Sequence, residues 1–249
     1  PYARGPIRSR KIESALAEVR ALAAKGFSEV VLVGIHLASY GRETGRSLTD
    51  ITKAICGVNG IKRVRLGSLD PKAVTPFFVS ELSLLKKVCP SFHISMQSGC
   101  DETLKRMNRK YNSAEFLNAL EILRKYYPNC AVSTDVMVGF PGEDDTEFEK
   151  TVNTIKQAEF ANLHVFQYSP RKGTSAAVME NQVNENIKKE RSAMLIELGK
   201  KLKKQYCGQF IGKSLTVLFE TQTEGFTKNY IRVRAKGKNL QGGHKKVML

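Results

Sequence analysis

No apolar run in the 249-residue sequence approaches the roughly 18 residues that a membrane-spanning helix needs. A secretory pattern is also missing, so a cytoplasmic location with no membrane partner is expected. Cysteine is scarce: Cys56, Cys89, Cys100, Cys130 and Cys207 are odd in number, far apart and contain no CxxC pair. That spacing excludes a disulfide framework and a self-contained metal site, and each thiol reads as a buried structural group. His36, His93, His164 and His244 lack metal-pair spacing, so no metal ligand is expected within the chain. A Ser-His-Asp set, a paired-carboxylate motif, HExxH and a P-loop are all lacking. No side chain is therefore given a catalytic role, and enzymatic chemistry would fall to a cofactor. Acidic residues stop at Glu224, after which Lys228, Arg232, Arg234, Lys236, Lys238, Lys245 and Lys246 follow without a counter-charge.

The balance is basic throughout, 40 Lys and Arg against 24 Asp and Glu for a net charge of +16, which points to a polyanionic partner. Periodicity along the chain alternates. Residues 11–25 place Ile12, Ala15, Leu16, Val19, Leu22 and Ala23 on one helical face, closed by Gly26. The short apolar run "EVVLVG" (29–34) suits a strand covered on both faces. The pair recurs, with helices near 47–57, 75–87, 113–127 and 144–158 preceding strands at 62–68, 91–97, 131–140 and 161–169. Such repetition predicts parallel βαβ units with right-handed crossovers, in a barrel or open sheet whose C-terminal strand ends form the functional rim. A strand would be expected before the helix at 11–25, and without it the sheet would expose an apolar edge.

Beyond residue 170 the pattern changes to one long helix at 184–207, capped by Asn184, and then to a small β module. That module reads as strands at 213–220 and 229–237 around a turn at 224–226, two or three strands in all and too few to close a barrel. In "YIRVRAK" the period of two puts Ile231, Val233 and Ala235 on one face and Arg232, Arg234 and Lys236 on the other. This suits phosphate contact, with Phe226 and Tyr230 available to stack on bases. At the strand ends, "GFPGEDD" (139–145) combines two glycines with a helix start, while "GIHLASYG" (34–41) and "QSGCD" (97–101) are small-residue loops. Three such loops on one rim describe a pocket, and Asp135 is expected to turn into the barrel interior.

In order, "PYARGPIRSR", "LVGIHLASYG", "RLGSLDP", "HISMQSGCDETLKRMNRKY", "TDVMVGFPGE" and "HVFQYSPRKGTSAA" resemble the radical S-adenosylmethionine methylthiotransferases over the whole chain. The small β module resembles their C-terminal TRAM domain. The resemblance implies an α/β fold: a partial TIM-like radical SAM barrel over residues 1–208, then an incomplete TRAM RNA-binding domain over 209–249. In that family a CxxxCxxC motif directly precedes PYxRG and holds the radical-generating [4Fe–4S] cluster, and an upstream domain holds a second, auxiliary [4Fe–4S] cluster. Neither ligand set is found among the five cysteines, so the chain as given is expected to be inert.

For the intact protein, the resemblance implies a tRNA-modifying transferase. One S-adenosylmethionine supplies a methyl group, and a second supplies the radical for methylthiolation at C2 of an adenosine next to the anticodon. "GIHLASYG" and "SPRKGTSAA" look most like the branch acting on N6-threonylcarbamoyladenosine. Cofactor contacts carried over by motif position are Gly34, Ile35, His36, Ser68, Gln97, Ser98, Asp135, Gly139, Phe140, Pro141, Gly142, Glu143, Phe166 and Tyr168. The tRNA-facing candidates are Arg4, Arg8, Arg10, Arg106, Arg109, Arg171, Lys172, Arg232, Arg234 and Lys236. The expected partner is the tRNA anticodon stem-loop, bound by a monomer, with the sulfur donor and electron donor left unnamed. Two other readings stay open: a sibling enzyme acting on a ribosomal protein, and a non-catalytic RNA-binding module.

Overall fold

The computed structural model describes residues 5–237 and 239–249. Its first part alternates as the sequence predicts: α1 (Ile12–Ala24), β1 (Glu29–Leu32), α2 (Leu48–Cys56), β2 (Arg63–Leu66), β3 (Ser68–Leu69), α3 (Pro76–Ser83) and β4 (Ser91–Ile94). Then come α4 (Asp101–Arg106), α5 (Ser113–Tyr126), β5 (Ala131–Val138), α6 (Asp145–Ala158), β6 (Asn162–Gln167) and α7 (Glu185–Gly208). Helix starts are set by local chemistry. Ser47 with Asp50, and Asn112 with Glu115, form reciprocal capping boxes at α2 and α5. Thr75 caps α3 ahead of Pro76, and Asn184 accepts from the Asn186 N–H at the start of α7.

The strands are parallel, with β1 on β2 and β3-β4-β5-β6 in a second run. Backbone bonds join the two runs: the Val64 N–H donates to Lys87 O (2.8 Å) and the Cys89 N–H to Val64 O (2.9 Å). β2 and β3 are one strand broken at Gly67, whose N–H turns aside to Leu32 O (2.8 Å). Alternation sorts the two faces. Val30, Val64, Phe92, Ile94, Val132, Val136 and Val138 are buried against the helices, where Ile55, Val79, Phe116, Leu120 and Leu123 complete the core. Glu29, Arg63, Arg65, His93, Ser133, Asp135, Asn162 and His164 share the inner, concave face through their registers. The outer edge of β1 has no strand partner among the described residues, and Val31, Val33 and Ile35 are exposed beside it. A groove of about 1030 Å³ runs between that edge, α1 and residues 5–10.

The C-terminal module is a four-stranded antiparallel sheet of order β10-β7-β8-β9, built from β7 (Ser214–Phe219), β8 (Glu224–Thr227), β9 (Arg232–Arg234) and β10 (His244–Met248). It departs from expectation in three ways. Residues 224–226, read as a turn, form β8, because Gly225 lets two backbones close: a Cβ there would lie 2.3 Å from Leu218 O. The strand expected at 229–237 contracts to β9, since Tyr230 takes a left-handed φ of 63° in a turn closed by Thr227 and Ile231. "HKKVM" adds a fourth strand beside β7. Tyr206 and Phe210, at and beyond the end of α7, join Val217, Phe219, Ile231 and Val233 in the module core together with Ala131 and Ala161 of the parallel sheet.

Candidate functional site

The turn after β5 is held from several sides. Gly139 and Gly142 have φ of 71° and 80°, a region that glycine enters without steric cost. The Gly139 N–H donates to Glu143 Oε1 (2.8 Å), Glu143 N–H to Phe140 O (2.9 Å) and Gly142 N–H to Asn181 O (2.9 Å). Glu143 is buried and paired with Arg191 of α7 at 2.7 Å. Burial pushes its carboxyl pKa up, against the pull of the Gly139 N–H and the guanidinium. Phe140 and Pro141 are buried, and Phe140 sets its edge on Tyr168 with ring centroids 5.3 Å apart. The buried Tyr168 hydroxyl has no hydrogen-bond partner among the described residues, and the Lys188 ammonium lies 5.5 Å over its ring.

The inner face carries the second half of the site. Gln97 (φ 66°) lies alongside β5 by donating its N–H to Asp135 O and accepting from the Met137 N–H, both at 2.8 Å. Asp135 turns inward as expected, with His93 Nε2 at 3.3 Å from its carboxylate, and His93 Nδ1 meets Ser133 Oγ at 3.1 Å. Burial holds the His93 pKa below its ordinary value, and Asp135 opposes that shift. Gly34, Ile35 and His36 follow β1 as exposed residues, and Ser68 and Phe166 are also exposed. Ser98 goes the other way: it is fully buried, its Oγ lies 3.1 Å from Thr151 Oγ of α6, and it accepts from the Cys100 N–H. Its side chain therefore packs on the helix layer instead of lining the inner face.

The expected tRNA-facing cations divide in the same way. Arg8, Arg109, Arg171, Lys172 and Lys236 are exposed, whereas Arg4 lies outside the described residues. Arg10 pairs with Glu18 and reaches Ser14 Oγ (3.1 Å). Arg106 is engaged by the protein, donating to Pro141 O (3.0 Å) and to both carboxylate oxygens of Glu147. On β9 the alternation holds, with Ile231 and Val233 inward, but Arg232 and Arg234 converge on Glu224 of β8. Their hydrogen bonds hold that carboxylate below its usual pKa. Phe226 and Tyr230 stack on each other at 4.7 Å, with the Arg65 guanidinium 4.7 Å over Tyr230, so each ring has one face committed inside the protein.

Residues that the sequence reading did not single out organise much of this. Arg63 donates to Phe226 O (2.8 Å) and Thr216 O (2.7 Å), and Arg65 to Lys228 O (2.8 Å) and Thr227 O (2.9 Å), while both reach Glu29. The signal was present in "KRVRLGS", where arginine alternates with Val64 and Leu66 in a strand expected at 62–68. Arg191 on α7 gave no comparable signal, since its partners Glu143 and Asp145 lie more than forty positions away in the chain.

A parallel α/β half-barrel with a glycine turn and polar inner face at its rim is the class these elements define. A family model described as the radical SAM superfamily matches residues 1–155, and the chain belongs to that superfamily. Among curated proteins it is 40% identical over 251 residues to the threonylcarbamoyladenosine tRNA methylthiotransferase of Bacillus subtilis, covering 95% of this chain and 55% of that protein. It is 38% identical to its counterpart in Thermotoga maritima, over 96% of this chain and 56% of that one. It is 37% identical to the tRNA-2-methylthio-N(6)-dimethylallyladenosine synthase of Acetivibrio thermocellus, over 88% and 46%. The chain thus spans about half the length of the curated relatives it matches. Among solved structures, coproporphyrinogen III oxidase from Escherichia coli superposes with a TM-score of 0.55 at 14% identity, over 79% of this chain and 48% of that one. Methylornithine synthase does so at 0.52 and 14%, over 81% and 62%. Both likenesses bear on the fold alone.

Superfamily membership implies S-adenosylmethionine and an iron–sulfur cluster, and the two fare differently against the residues present. The Gly139–Gly142 turn, exposed strand ends and inner-face Asp135 suit a nucleoside with hydroxyls and a positive centre. Among the described residues no group of three or more His, Cys, Asp or Glu side chains could hold a metal ion, so a cluster does not fit them. Among the described residues no helix is long and apolar enough to cross a membrane.

Proposed function

We propose that this chain is the cofactor-binding and RNA-facing portion of a radical SAM tRNA methylthiotransferase. Its substrate on this reading is N6-threonylcarbamoyladenosine next to the anticodon, modified at C2. The observation that carries the reading is the 40% identity over nearly the whole chain to a threonylcarbamoyladenosine tRNA methylthiotransferase, joined to the exposed residues Gly34–His36 after β1 and the left-handed glycine turn after β5. Residues 1–208 act as the barrel and 209–249 as a TRAM-type RNA-binding sheet. When bound, one S-adenosylmethionine would supply the methyl group and a second, on one-electron reduction by a cluster held elsewhere, the radical. This chain's contribution is to hold and orient S-adenosylmethionine, with Gly34–His36, Gln97, Asp135 and the Gly139–Gly142 turn as the contacts. Cluster thiolates come from elsewhere in the encoded protein, and these residues alone do not generate a radical. The groove along the open edge of β1 suits a parallel strand lying beside it. RNA affinity rests on the exposed cations Arg8, Arg109, Arg171, Lys172 and Lys236 of a cytoplasmic monomer.

The test is nucleoside mass spectrometry of tRNA from cells lacking the encoding gene and from cells carrying it back. Loss and recovery of the 2-methylthio derivative of N6-threonylcarbamoyladenosine supports the reading. Unchanged levels of that nucleoside, or loss of the dimethylallyl-type derivative instead, overturn the substrate.

A further inference from the structure

α7 lies outside the superfamily match and carries none of the residues expected to meet the cofactor, yet two of its charged side chains are buried on the Gly139–Glu143 turn. Arg191 is 5% exposed and Lys188 is 2% exposed. Arg191 Nη1 donates to the Glu143 carbonyl (3.0 Å) and to Glu143 Oε1 (2.7 Å), and Nη2 donates to Asp145 Oδ1 (2.7 Å). The same Glu143 Oε1 accepts the Gly139 N–H at 2.8 Å. Guanidinium, carboxylate and amide therefore form a chain that fixes the peptide plane entering the turn. A planar fork suits this arrangement, because one side chain must reach a carbonyl, a carboxylate and the first residue of α6 at once. The Lys188 stem fills the space that a Cβ on Gly139 would occupy, 2.3 Å from its Cγ.

A buried ion pair contributes little to net stability compared with an apolar replacement of the same shape, but it specifies geometry where geometry is needed. Two left-handed residues within four positions make this turn a place where the backbone needs such specification. We infer that Arg191 is a positioning residue: acting through Glu143, it sets the Gly139–Gly142 backbone in the conformation that receives S-adenosylmethionine. This rests on the cofactor reading above.

The experiment uses the whole encoded protein and compares Arg191→Ala, Arg191→Lys and Leu195→Ala. Leu195 is a fully buried core residue of the same helix, so its variant controls for stability loss alone. Hydrogen exchange is read on the peptide spanning 137–143, and S-adenosylmethionine affinity by calorimetry. Arg191→Ala should speed exchange in that peptide and weaken affinity by about tenfold or more. Arg191→Lys should recover part of both, and Leu195→Ala should lower the melting temperature while leaving affinity within about twofold. Unchanged exchange in Arg191→Ala overturns the inference whatever the affinity. Faster exchange with unchanged affinity shows that the turn's geometry does not govern binding, and also overturns it. If the wild-type protein binds no S-adenosylmethionine, the cofactor reading falls and takes the inference with it. Affinity loss in Leu195→Ala equal to that in Arg191→Ala reduces Arg191 to a general packing role and overturns it as well.

Discussion

Replacing Arg65 by alanine should be strongly destabilising. Arg65 bonds the backbone carbonyls of Lys228 (2.8 Å) and Thr227 (2.9 Å), meets Glu29 Oε1 at 2.6 Å and covers the Tyr230 ring. Each hydrogen bond to a charged donor contributes about 1.5–3 kcal/mol. The substitution leaves Glu29, whose side chain is 16% exposed, with only Arg63 at 3.4 Å. Removing one partner of a buried pair costs about 3–5 kcal/mol, and this is the expected loss. At the roughly 2 kcal/mol/M urea slope of a small protein, the midpoint should fall by about 2 M. Urea unfolding of the whole protein, followed by far-ultraviolet circular dichroism, measures it. Glu29→Ala in the same background should give back about 1–3 kcal/mol, because it removes the stranded carboxylate. A loss below about 1 kcal/mol, or a double variant with purely additive losses, would refute the view that this pair bolts the C-terminal sheet to the parallel one.

Other expectations follow from single sites. Gly139→Ala should lower stability by about 1–3 kcal/mol through its left-handed φ and the clash with Lys188; a melting temperature equal to wild type would count against the turn as described. His93 and His244 both titrate below their ordinary value of 6.5, chiefly through burial. Their unfolded forms therefore bind more protons across the interval below pH 6.5, so this stability is present above that pH and is lost as pH falls through their folded values. Urea midpoints at pH 7.5 and 5.5 should show the loss, and a His93→Gln, His244→Gln double variant should flatten it. Cys89 and Cys130 are buried, with thiols pushed up to about 11 mainly by burial. Iodoacetamide at pH 8 should label them only after unfolding, with partly exposed Cys56 and Cys207 reacting first. Native-state mass spectrometry finding Cys89 among the early adducts would contradict the packing.

The parallel sheet was legible because its signal is local. Each strand is a short apolar or alternating run, and Asn184, read from the sequence as a cap, accepts from the Asn186 N–H at the start of α7. Gly139 and Gly142, singled out in the sequence as permissive backbone positions, both take left-handed φ in the fold. What could not be read was allocation. An arginine in a sequence is a free cation until a carboxylate is shown beside it. Arg106 is committed to Glu147 across 41 positions, and Arg232 and Arg234 share Glu224. Phe226 and Tyr230 likewise look like a stacking platform in the chain and are each other's partner in the fold.

This allocation changes where the unpaired positive charge lies. The seven cations after Glu224 suggested a continuous basic stripe on the small module. With Arg232 and Arg234 converging on a single carboxylate, β9 keeps a net surplus of one charge across those three side chains, and Lys236 stands beyond them. Exposed positive charge is instead dispersed between the module and the barrel rim, at Arg109, Arg171 and Lys172. A polyanion bound by exposed phosphate contacts shows a salt slope proportional to their number. The rim residues should therefore carry more of that slope than β9: Arg171→Ala, Lys172→Ala together should reduce it by about two contacts. Arg232→Ala, Arg234→Ala also unmasks Glu224, so it removes two cations and releases an anion. If nucleic acid ran along β9, that double variant would be the more damaging of the two pairs; the ion pairing seen here predicts the reverse order in salt slope.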